Sequence, residues 1–193
     1  MHMDLTTRPY PPLDSRAAAV IVGLLDRERL MSIGINRPDG WPQVTTVGYV
    51  NEGLDLYFVT GRDSQKLANL AADPRISLSI FIDEQADGPV GLVMSGHAHE
   101  VADPDEIQTL TAIMSARWPD FSVYCPTSRA QAVVRFRPEV ICLISAVDGQ
   151  SRNEYFRLAE SAAGTAMGRS AFRSHPPSPR ASLDDARTRS DMI

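Results

Sequence analysis

The chain has 193 residues, 43% of them hydrophobic, and a formal net charge of −5. That length supports one domain with a true core, and the acidic balance, with arginines scattered rather than striped, excludes a nucleic-acid surface. Cys125 and Cys142 stand far apart and no long apolar run accompanies them, so a reduced, cytoplasmic setting with no membrane span is expected.

Residues 1–12 hold Pro9, Pro11 and Pro12 and no periodicity, which reads as an extended arm. From Leu13 the pattern turns helical: Asp14 or Ser15 is a suitable cap, and Ala18, Ile21, Val22 and Leu25 fall on one face. Met31, Ile33 and Ile35 then alternate as a strand, Arg37-Pro38-Asp39-Gly40 is a turn, and residues 44–50 return as a second strand. Asn51-Glu52-Gly53 closes a further hairpin.

The chain is organised around residues 54–82. Leu54, Leu56 and Phe58 alternate with Asp55, Tyr57 and Val59, the pattern of a half-buried strand ending near Thr60. Gly61-Arg62-Asp63 makes a turn, Ser64 is a helix cap, Leu67, Leu70 and Ala71 recur at helical spacing, and Pro74 stops the helix before Ile76, Leu78, Ile80 and Ile82 begin another strand. A helix start leaves N–H groups unpaired and favours anions. Thr60 and Ser64 add hydroxyls there, Gln65 an amide, and Arg62 and Lys66 positive charge. Lys66 is the one lysine among nineteen basic residues, and it sits where the helix dipole disfavours a cation. Residue pattern alone leaves two alternatives: a phosphate site, or a plain capped helix with Lys66 in water.

These residues carry a resemblance. Tyr57-Phe58-Val59-Thr60, Ser64-Gln65-Lys66-Leu67, Leu70 and Asp73-Pro74-Arg75 resemble the pyridoxamine 5'-phosphate oxidase-like family of FMN-binding split β-barrels. The resemblance implies that Thr60, Ser64 and Lys66 bind a flavin phosphate and that Thr45, Thr46 and Val47 on the preceding strand flank the flavin ring. Gln65 stands where the family often has Arg, and Arg62 is placed to compensate. The resemblance also implies a homodimer with the cofactor at the subunit interface.

Residues 83–89 read as an acidic surface loop, and residues 91–101 as a strand that places His97 and His99 on one face. Two histidines without a third ligand do not make a metal site, and none is expected. Asp103-Pro104-Asp105-Glu106 starts a helix to about Trp118, followed by an aromatic segment, residues 118–124, that is either a lid or interface core. A last long strand, residues 133–147, bends at Pro138. Residues 153–158 are expected to anchor on a partner subunit, and residues 161–193, rich in Ala, Gly, Ser, Arg and Pro, form a tail without a fold of its own.

The expected architecture is a mostly β (α+β) antiparallel split barrel of about six strands with flanking helices. It is divided into an arm at residues 1–12, a flavin-binding domain at 13–160 and a flexible tail at 161–193. The implied function is an FMN-dependent oxidoreductase acting on a small molecule. The alternatives are a reductase of the same fold using the deazaflavin coenzyme F420, or a flavin- or haem-binding stress or storage protein. Phe156-Arg157-Leu158-Ala159, with no tryptophan after Trp118, departs from the ending of pyridoxal phosphate-forming relatives, so that synthesis is not expected.

Overall fold

A computed structural model describes residues 10–84, 88–117, 130–147 and 150–158. Eight strands and three helices follow in the order α1 (Ser15–Arg27), β1 (Leu30–Asn36), β2 (Pro42–Gly48), β3 (Val50–Glu52), β4 (Asp55–Gly61), α2 (Gln65–Ala72), β5 (Arg75–Glu84), β6 (Gly88–Glu100), α3 (Pro104–Arg117), β7 (Gln131–Val147) and β8 (Gln150–Arg157). The strands pair antiparallel in the order β2-β1-β5-β6-β7-β4-β3, with β8 added to β7. β2 and β3 end that path on opposite sides, yet only Tyr49 separates them in the chain. The sheet must therefore curl until its ends nearly meet, which is a split barrel.

The inner face is filled by Met31, Ile33, Ile35, Phe58, Leu92, Met94 and Phe136, and α1 closes it with Ile21 and Leu25. Asp14 caps α1 by accepting the Ala17 N–H at 2.8 Å. Tyr49, at the crossover, is buried and donates its hydroxyl to the Leu25 carbonyl at 3.0 Å. Burial pushes its pKa far above the usual phenol value.

Three expectations change. β4 was expected to be half-buried, but Leu56 to Thr60 are buried on both faces, because α3 lays Leu110 and Met114 over Tyr57, Val59 and Val133. The acidic loop expected at residues 83–89 is shorter, since β5 runs to Glu84 and β6 begins at Gly88. Most of residues 153–158, expected to meet a partner subunit, belongs to β8, paired with β7 from Val140↔Arg157 to Val147↔Gln150, so the sheet has eight strands among the described residues rather than about six. The end of the arm lies along the same strand, with the Arg157 N–H donating to the Pro11 carbonyl and the Leu13 N–H to the Arg157 carbonyl.

The bend at Pro138 is present as a register shift opposite Ser95 and Gly96. Proline offers no N–H to the ladder, and a bulge absorbs the loss. Gly96 lets the strands close there, since a Cβ would lie 2.0 Å from the Arg137 carbonyl oxygen. The aromatic segment 118–124, Cys125 and the tail 161–193 lie outside the described residues. Among the described residues no helix is long and apolar enough to cross a membrane.

Candidate functional site

β4 delivers the chain to the head of α2 through a tight turn. The Ser64 N–H donates to the Gly61 carbonyl at 3.1 Å, and the Arg62 N–H to the Ala130 carbonyl at 2.9 Å, tying the turn to the start of β7. Ser64 is extended, with φ −79° and ψ 143°, and its Oγ accepts the Leu67 N–H at 3.2 Å, as a helix cap does. Thr60 Oγ1 lies 3.0 Å from Ser64 Oγ, so the last buried residue of β4 and the cap of α2 share one hydrogen bond. Lys66 follows in the first turn, half-buried rather than fully in water.

The Gln65 side chain runs along the helix, donating its Nε2 to Asn69 Oδ1 at 2.9 Å, and Asn69 Nδ2 donates to Gln43 Oε1 on β2 at 3.0 Å. Asn69 is only 1% exposed, and sequence reasoning missed it. A polar residue four positions after Gln65 was the available signal. Thr45 and Val47 share the β2 face of Gln43, whereas Thr46 lies on the exposed opposite face with its hydroxyl 3.3 Å from Ser32 Oγ. Arg62, expected to supply the compensating charge, holds Glu100 at 2.7 Å. The structure thus joins Thr60 to Ser64, sets Lys66 in the first turn of α2, links Gln65 to β2 through Asn69 and turns Thr46 to the other side.

The Asp73-Pro74-Arg75 motif fixes the far end of α2. Asp73 accepts the Arg75 N–H at 3.1 Å, both guanidinium contacts at 2.9 and 2.7 Å, and the Asn36 amide of β1 at 2.9 Å. Those hydrogen bonds, Arg75 first, hold its carboxyl well below the usual carboxylate range.

A second polar cluster lies where β6 meets β7. The His97 and His99 rings are parallel with centroids 6.4 Å apart, His97 Nδ1 is 2.7 Å from Glu139, and Arg137 is 3.2 Å from Asp55. Arg135 pairs with Glu106 from α3 and sits over the Tyr57 ring, 5.4 Å from its centroid. Among the described residues no group of three or more His, Cys, Asp or Glu side chains could hold a metal.

A profile of the pyridoxamine 5'-phosphate oxidase family matches residues 18–145, which takes in most of α1, the whole head of α2 and most of β7. The chain belongs to that family. Solved structures agree in fold with this family member. A haem-binding protein from Mycobacterium smegmatis superposes with a TM-score of 0.61 at 19% identity, over 75% of this chain and 59% of its own. The conserved hypothetical protein Rv2991 from Mycobacterium tuberculosis gives 0.55 at 20%, over 82% and 97%. A FAD-binding protein from Mesorhizobium loti gives 0.53 at 17%, over 64% and 89%. At such identities the likeness shows the fold alone. Comparison with curated proteins finds no match.

Proposed function

We propose that the chain binds FMN by its phosphate at the head of α2 and acts as an oxidoreductase on a small molecule, as a homodimer whose second copy completes the site. The observation that carries this reading is the Thr60 and Ser64 hydroxyl pair beside half-buried Lys66, at a helix start within the residues matched to the family. The donor set fits a phosphate: the first turn of α2 supplies N–H groups without intrahelical acceptors, the hydroxyl pair keeps one O–H to donate, and Lys66 neutralises charge. FMN, when bound, supplies the redox chemistry. The chain's part is to hold the phosphate at Ser64 and Lys66 and to border the site with Thr45 and Val47. The fold neighbour that binds FAD is in keeping with a flavin, and the exposed Trp41, Val44 and Phe81, at 73, 71 and 69%, are in keeping with a second copy.

The test is titration of the purified full chain with FMN, coenzyme F420 and haemin, on wild type and Lys66→Met. FMN should bind tightest to wild type. Lys66→Met removes a charged contact worth roughly 1.5–3 kcal/mol, so affinity should fall about tenfold to a hundredfold while the fold survives. Unchanged FMN affinity, or a preference for haemin, overturns the assignment.

A further inference from the structure

Between the turn joining β1 to β2 and the flank of α2 lies a pocket of about 370 Å³, lined by Arg37, Pro38, Asp39, Gln43, Gln65 and Asn69. Small-molecule pockets run from roughly 300 to 1,000 Å³, so this one suits a small ligand. Its chemistry is set by Asn69. That side chain is buried, accepts from Gln65 at one end and donates to Gln43 at the other. An amide used in this way forces its neighbours into opposite roles. Gln65 uses one N–H and keeps its carbonyl and a second N–H; Gln43 uses one lone pair of its carbonyl and keeps both N–H groups. Turning the Asn69 amide over would exchange the two roles and preserve the opposition. Under either assignment one glutamine offers an acceptor and the other a donor, and among the described residues neither of those remaining ends has a protein partner.

Charge narrows the ligand further. Arg37 and Asp39 form an ion pair with each other, and the rest of the lining is proline and amides, so the pocket carries no net charge. An anion would find no spare cation and a cation no spare carboxylate. A wholly apolar guest would strip water from two amide ends and give nothing back.

We propose that this pocket binds a small uncharged molecule through an amide, lactam or imide edge, with Gln43 and Gln65 as the residues that determine that specificity. Because Gln65 also belongs to the candidate phosphate turn, the pocket then adjoins the phosphate end of the flavin site. That last step rests on the FMN reading; the binding itself does not.

The test uses the full chain and three probes of one shape, benzamide, acetophenone and benzoate, with affinities read by ligand-observed NMR. Benzamide keeps donor and acceptor, acetophenone lacks the donor and benzoate is charged. Benzamide should bind best, acetophenone about fivefold more weakly or worse, and benzoate about tenfold more weakly or not at all. Gln43→Leu should erase the preference for benzamide over acetophenone. Equal binding of the three probes, no benzamide binding, or an unchanged preference in Gln43→Leu overturns the proposal. Should Gln43→Leu fail to fold, the ranking of the probes on wild type decides. A chain that binds benzamide with this ranking but no FMN keeps the pocket and loses the flavin reading, and the reverse result loses the pocket alone.

Discussion

At the edge of β6 and β7, charge meets charge: Arg62 with Glu100, Arg135 with Glu106 and Arg137 with Asp55, while the His97 ring lies against Glu139. At the head of α2, apart from Lys66, the work falls to neutral groups, the Thr60 and Ser64 hydroxyls and the amides of Gln65, Asn69 and Gln43. The two clusters differ in what they have left to offer. The arginines at the edge are each answered by a carboxylate, leaving Arg135 Nε as the one buried side-chain polar atom without a hydrogen-bond partner among the described residues, and in exposed positions such pairs add little stability while fixing which strands and helices lie together. A hydroxyl or amide used once still has a donor or an acceptor to spare. By that criterion the edge, although it holds His97, His99 and several arginines, serves as architecture in the reading proposed above, and the head of α2 is the candidate site.

The largest effect is expected at the β6–β7 edge. Gly96→Ala would drive a Cβ to 2.0 Å from the Arg137 carbonyl oxygen and into the backbone around Pro138. Neither side can swing away, so urea unfolding should show a loss of about 3 kcal/mol or more. A wild-type midpoint would mean that the β6–β7 edge is plastic. Next in size is Lys66→Met, whose effect should fall on FMN affinity and spare stability, the opposite signature to that of Gly96→Ala.

A smaller pair of changes sharpens the contrast within one chemistry. Asp14 and Ser64 both cap helices, accepting the Ala17 N–H at 2.8 Å and the Leu67 N–H at 3.2 Å. Replacing either by Ala should cost about 1 kcal/mol in thermal or urea unfolding. Only Ser64→Ala should also weaken FMN binding, because only that hydroxyl faces the proposed phosphate. Equal FMN affinities in the two variants would reduce Ser64 to a cap.

What the sequence revealed about these regions was local, and what it hid was long-range. Asp14, Ser64, Pro74 and Pro104 mark helix ends through contacts within a few residues, so each was legible in the chain. Gln65 and Lys66 could be placed in a helix start, but not the course of the Gln65 side chain, because its partner Asn69 looks like any surface residue until Gln43 of β2 is laid against it. The double burial of β4 depends on α3, which follows some forty residues later, and alternation cannot announce a cover that arrives from elsewhere. β8 was missed because its residues are mostly exposed and polar, so the pairing rests on backbone hydrogen bonds to β7 that carry no hydrophobic signature. Arg62 was given to the phosphate turn by proximity in sequence, and its partner Glu100 lies on another strand.

The smallest effect concerns the far end of α2 and depends on pH. Asp73 closes that end by accepting from Arg75 and from Asn36 on β1, and these contacts hold its carboxyl below the ordinary carboxylate range. A carboxyl whose pKa is lower in the folded chain than in the unfolded one stabilises the fold at every pH above its unfolded value, and loses that contribution as the pH falls toward the folded value. Wild type should therefore be more stable than Asp73→Asn at neutral pH, and the gap should narrow only below about pH 4, the ordinary carboxylate value. The group lies near the surface, so salt should shrink the gap as well. Melting curves of the two proteins across the acid range make the check. If the gap were constant through that range, Asp73 would act as a hydrogen-bonding cap that Asn only partly replaces, and its charge would have no share in holding α2 against β1.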